Sequence, residues 1–177
     1  SRQAAAARGS FLADLPAGID FYQVREQAGG DPEALARDYG FASWAKLETE
    51  VERRDLFNRC DLAGIRALLV EQPELATEKL EHWRDHPSGA TPLGYVAMLR
   101  FDAARLGLEG IRNTGAMAHA LLDAGAPVEG DPGDRETPLI TAASYGDAEG
   151  AQALIGGGAD IAASPAEDSG GVAGGAA

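Results

Sequence analysis

The chain has 177 residues, 45% of them hydrophobic and 6% aromatic, with a formal charge of −13 at pH 7. That length suits one ordinary domain or a short array of repeats, and the acidity makes nucleic-acid backbones and anionic membranes poor partners, since both bind through clustered Lys and Arg. A single cysteine, Cys60, excludes an intramolecular disulfide scaffold and fits a reducing, cytoplasmic setting, and the sequence holds no run of ~18 apolar residues.

Residues 1–30 carry no clear period: Phe11, Leu12, Leu15 and the pair Phe21-Tyr22 fit at most one loosely packed helix. The Ala-rich start, interrupted by Arg2 and Arg8, is not a signal-peptide pattern, and a start without Met is expected of a fragment or a processed chain. Asp31-Pro32-Glu33 is a helix-start signal, and Ser43 is placed to cap a second helix over 44–54 with Leu47 and Val51 on its apolar stripe. Residues 31–54 are therefore expected to form a helical N-terminal cap. Val51 to Cys60 then supplies the first helix of a hairpin, with Leu56 and Phe57 facing inward, and Asp61 to Leu69 supplies the second.

Two later segments open alike, at Thr91-Pro92-Leu93 and Thr137-Pro138-Leu139. Thr can cap a helix whose first residue is Pro, a position where the missing N–H costs nothing. Thr114–Leu122 aligns without gaps on Asp61–Leu69 and on Asp147–Ile155, and each segment ends in paired apolar residues. Gly146 suits the positive φ of a tight inter-helix turn, Cys60 stands in the matching place earlier, and Gly125 and Gly158 suit helix ends. From Thr137 to Gly158 is 21 residues and from Thr91 to Gly125 is 34, which locates an insertion of 13 residues near 100–112. The repeats are expected at 55–87, 88–130 and 131–165. Residues 166–177 are expected to be a flexible tail or the start of a further repeat, because Gly170-Gly171-Val172 falls in the Thr-Pro-Leu register.

The segment from Glu136-Thr137-Pro138-Leu139 through Ser144-Tyr145-Gly146-Asp147 to Ala159-Asp160-Ile161 resembles one ankyrin repeat. Tyr39-Gly40-Phe41-Ala42-Ser43-Trp44-Ala45-Lys46-Leu47 is similar to a leader that precedes such repeats in many bacterial proteins, and the preference for Arg over Lys fits a GC-rich coding bias. The resemblance implies an all-α fold, an α-solenoid of about three stacked ankyrin-like helical hairpins behind an irregular helical cap. The chain departs from the family pattern at Ile140-Thr141, where His-Leu is usual, at Arg135, where Gly is usual, and at Gly150, Ala151 and Ala153, where larger aliphatics are usual. Each missing buried methylene forgoes about 0.8 kcal/mol, so a marginally stable array is expected.

The same resemblance implies a non-catalytic protein-interaction module that uses its hairpin loops and first helices. The matching positions are Ser88, Ala90, Met98 and Leu99 in one repeat and Asp134, Glu136, Ser144 and Tyr145 in the next. Met98, Leu99 and Tyr145 would make an apolar centre and Asp134 and Glu136 an acidic edge, unless Met98 and Leu99 pack beneath the insertion. The expected partner is a protein, not nucleic acid or membrane, and the expected state is a monomer. The alternative is a substrate-positioning or regulatory region of a larger enzyme or effector.

Chemistry has little support in the residues. His82 and His86 have the i, i+4 spacing of some zinc ligands, yet no Glu follows His82 and Asp85-His86-Pro87 tends to break a helix. Gly156-Gly157-Gly158 follows a predicted helix, whereas a phosphate loop precedes one. Cys60 has no neighbour that would activate a nucleophile. No catalytic residue, metal or cofactor is therefore expected.

Overall fold

A computed structural model describes residues 31–38, 40–80, 90–106 and 110–163. Segment 1–30, the tail 166–177, Ser88 and the pair His82 and His86 lie outside them. In chain order the elements are α1 (Pro32–Asp38), α2 (Trp44–Asn58), α3 (Leu62–Glu71), a 3-10 turn (Pro73–Ala76), α4 (Pro92–Leu106), α5 (Thr114–Asp123), α6 (Pro138–Ser144) and α7 (Ala148–Gly156). The described residues are thus all-α, apart from one antiparallel bridge between Leu80 and Ala90.

Helices pair in sequence as α2/α3, α4/α5 and α6/α7, while α3, α5 and α7 pack side by side and α4 lies against α6. One continuous apolar core runs between the hairpins, from Leu56 and Phe57 through Leu93, Val96, Met117 and Leu121 to Leu154. A smaller cluster of Ala36, Phe41 and Leu47 joins α1 to the start of α2. Tyr95 of α4 fastens the first two hairpins: its ring lies 5.9 Å from that of Phe57, and its hydroxyl donates to Asn58 Oδ1 at 2.7 Å.

The repeated sequence signals become repeated backbone geometry. Thr91 Oγ1 accepts from Gly94 N–H at 3.1 Å and Thr137 Oγ1 from Ile140 N–H at 3.3 Å, so both Thr-Pro-Leu entries are capped in the same manner. Before each second helix stands one left-handed residue: Cys60 at φ 54°, Asn113 at 58° and Gly146 at 69°. Only one of the three is glycine. Cys60 holds this less comfortable conformation because its thiol is buried in the core, and Asn tolerates it through its short polar side chain. Gly125 and Gly158 end α5 and α7 at φ 97° and 94°. The matching position of the first hairpin is Gln72, at φ −136°, and there the chain passes into the 3-10 turn.

Two sequence-based boundaries move. The predicted division at 54/55 falls inside α2, which runs unbroken from Trp44 to Asn58. No Gly or Pro interrupts that stretch, so cap and first repeat share a helix. The insertion, expected between two helices, is largely helical: α4 has 15 residues against 7 in α6, an extension of about two turns.

Close approach explains the glycines at 150 and 115. A Cβ on Gly150 would strike the Asp147 carboxylate that caps α7, and a Cβ on Gly115 would lie 2.7 Å from the backbone oxygen of Glu149 on α7. Gly115→Ala is expected to cost about 1–2 kcal/mol, since backbone cannot yield to overpacking. Gly156→Ala meets nothing within 4 Å and is expected to add up to about 1 kcal/mol. Urea unfolding followed by circular dichroism checks both signs.

Charged residues also enter the interior. Arg53, 2% exposed, donates through Nη1 to the carbonyls of Leu75 (3.1 Å) and Glu78 (2.7 Å) and through Nη2 to that of Lys79 (3.1 Å) and to Glu50 Oε2. Arg54 Nε donates to Glu50 Oε1 at 2.9 Å. One guanidinium thereby binds the segment after the 3-10 turn to α2.

Candidate interaction surface

The described candidates divide into two groups. Ser144 and Tyr145, at the C-terminal end of α6, are exposed, as is Glu136 ahead of α6. Asp134 is half-buried, and its Oδ2 accepts from Asp131 N–H at 3.2 Å, so it shapes its own loop. Met98 is half-buried and packs against the core. Leu99 and Ala90 leave the candidate surface. Leu99 is 1% exposed because it follows Tyr95 and Val96 at i+4 and i+3 on the core face of α4, and Ala90 is buried with its backbone bridged to Leu80.

The structure adds a residue to Tyr145 that periodicity did not single out. Phe101, on the helical extension of α4, faces Tyr145 across the junction of the second and third hairpins, with ring centroids 4.6 Å apart and planes at 39°. These rings are 45% and 37% exposed. Aromatic pairs in this offset, tilted arrangement favour each other by about 0.5–1.5 kcal/mol beyond burial, and rigid exposed rings supply contact area at low entropic cost. The sequence signal was present, a large apolar residue in an insertion, but its partner lies in another repeat.

Close in sequence to both rings, a polar hub ties α4 to the third hairpin. Asp147 is buried and its Oδ1 accepts from Thr114 Oγ1 (2.7 Å), Arg100 Nε (3.1 Å) and Gly150 N–H (3.2 Å). It therefore caps α7 while tying α4 and α5 to the third hairpin. Arg100 precedes Phe101, so its bond to Asp147 Oδ1 also orients the turn carrying the aromatic ring.

At the loop end of the stack, Lys79 Nζ pairs with Asp131 Oδ2 at 2.7 Å. The Lys79 hydrogen bond foremost, then the Gly133 N–H, hold the Asp131 carboxyl below its ordinary range. A lowered folded value means stabilisation present above the ordinary carboxylate range and lost as pH falls through the lowered value.

The face offers apolar contact and hydrogen bonding. Among the described residues no group of three or more His, Cys, Asp or Glu could hold a metal ion, and no helix is long and apolar enough to cross a membrane. Compared with protein-family models, curated proteins and solved structures, the chain matches none.

Proposed function

We propose that this chain is a non-catalytic interaction module, a short ankyrin-like stack of three helical hairpins behind a helical cap, and that it binds a protein partner through the face around Tyr145. The repeat reading is supported by left-handed residues at matching positions 60, 113 and 146 and by the paired helix ends at 125 and 158. The binding reading rests on one observation: Phe101 and Tyr145 stack on each other while exposed at a junction between hairpins. Ser144 adjoins Tyr145 in sequence, Met98 lies about one helical turn before Phe101, and Glu136, at the other end of α6, gives the face its acidic side. Such a centre of aromatic anchors with a polar rim is the arrangement that carries most energy in protein interfaces.

The test is recovery of partners from the host with the intact chain and with Tyr145→Asp and Phe101→Asp. Either substitution is expected to weaken capture of a specific partner at least tenfold, the loss of about 1.4 kcal/mol or more that a central aromatic contact contributes. Equal recovery of every captured protein by the parent and both variants, with unchanged helicity, counts against the face.

A further inference from the structure

We propose that the outer side of α7 is a docking site for a basic amphipathic helix of a partner protein, which packs on α7 as α7 packs on α5. This surface is separate from the ring pair of Phe101 and Tyr145, and neither reading depends on the other.

The contact between α5 and α7 defines the positions involved. A Cβ on Gly115 would lie 2.7 Å from the backbone oxygen of Glu149, and a Cβ on Gly157 would lie 2.7 Å from Leu122 Cδ1, so α5 meets α7 at residues 115 and 122. Ala118, between them on the same helical face, is 1% exposed. In the gap-free register of the second helices these positions become Ala148, Ala151 and Ile155 on α7. There Ala148 is exposed, Ala151 is half-buried and Ile155 is 50% exposed. The same change runs through the rest of the hairpin. Val128 packs against the core whereas its counterpart Ile161 is 78% exposed, and Ala97 is buried whereas its counterpart Ala143 is exposed. The row of α3, α5 and α7 therefore continues an interface it has already built once: α7 presents outward the contact positions that α5 uses, and their small side chains allow a close helix approach.

Charge selects the occupant. Residues 148–163 hold Glu149 and Asp160, both exposed, and no Lys, Arg or His. Glu149 stands in the first turn of α7. Past the other end, where the helix dipole is also negative, Glu129 joins Asp160 by accepting from its backbone N–H at 2.7 Å. Carboxylates thus flank the apolar stripe at both ends. A second copy of this chain would set the same carboxylates against these, and residues 164–177 hold Glu167 and Asp168 and no basic residue. An incoming helix with Lys or Arg beside its apolar stripe meets them with the opposite charge, and a small residue opposite Ile155 repeats the way Gly157 lies opposite Leu122.

The test follows the isoleucine and valine methyl resonances of the whole chain by nuclear magnetic resonance during titration with synthetic peptides. The probe is a helical peptide of Leu, Ala and Lys with Leu along one face; the controls are the same peptide with Glu in place of Lys and a scramble that has no apolar face. The Ile155 and Ile161 methyls are expected to move saturably with the Lys peptide, which binds about tenfold or more tighter than either control, while Val70 on α3 stays in place. Ile155→Asp is expected to weaken binding about tenfold or more, and Glu149→Gln and Glu129→Gln about threefold each. All three substitutions alter exposed side chains, and unchanged circular dichroism verifies the fold. No saturable movement with the Lys peptide, equal movement with either control, or unchanged affinity in Ile155→Asp would overturn the proposal. Without peptide, Ile155 shifts that depend on protein concentration would assign the face to a second copy, and nuclear Overhauser contacts between Ile155 and Val172 would assign it to the chain's own 164–177; either result overturns it as well.

Discussion

Arg53→Met is expected to lower the free energy of unfolding by about 3–5 kcal/mol, the range for breaking a buried ionic cluster by removing one partner. Methionine fills much of the same volume, so packing loss is small and the penalty is polar. The carbonyls of Leu75, Glu78 and Lys79 lose their shared donor, and Glu50 is left with Arg54 alone. The damage should also be local in character. Leu80 and Ala90 exchange backbone hydrogen bonds at 2.8 and 3.1 Å, directly after the segment that Arg53 holds. Amide exchange at these two residues is expected to accelerate more than exchange within α7, while urea unfolding reports the global loss. A change below about 1 kcal/mol would show that the guanidinium is replaceable by water and that the clasp does not stabilise the first hairpin.

Asp147→Ala is the second large effect, expected at about 3 kcal/mol. Loss of a helix cap typically costs about 1 kcal/mol, and unpaired buried donors cost about 1–3 kcal/mol more. Here Thr114 Oγ1, Arg100 Nε and Gly150 N–H all lose their acceptor at once. Asp147→Asn keeps an oxygen for the cap and is expected to cost roughly half as much, because only charge-assisted bonds weaken. Since Arg100 adjoins Phe101, the alanine variant should also loosen the aromatic pair. Ring-flip rates of Phe101 and Tyr145 by nuclear magnetic resonance check this, and unchanged rates would separate the hub from the face above it.

The parts of the fold legible in the sequence are those set by local chemistry. Thr before Pro starts a helix whatever surrounds it, and the gap-free alignment of 61–69, 114–122 and 147–155 reproduces as three equivalent helices. The left-handed turn was legible at Gly146 and could be inferred at Cys60 only from its place in the register, because a cysteine at positive φ announces nothing by itself. What escaped depends on contacts distant in sequence. Arg53 and Arg54 look like a solvated end to a cap helix, yet their acceptors lie more than 20 residues on, or on Glu50 within a helix that continues instead of ending. Leu99 matches Tyr145 in the repeat register, yet it lies on the core face of α4, and Phe101, on the part of α4 that has no counterpart in α6, is exposed instead.

The face around Tyr145 is most directly tested by site-specific photo-crosslinking in the host. A benzoylphenylalanine at Ser144, exposed beside the aromatic pair, is compared with one at Val70, which is 84% exposed on α3 in the other layer of helices. One discrete crosslinked species at position 144, absent at 70 and lost when Phe101→Asp is added, is the predicted result. The same species at both positions, or one formed only at 70, would contradict a partner face built on Phe101 and Tyr145.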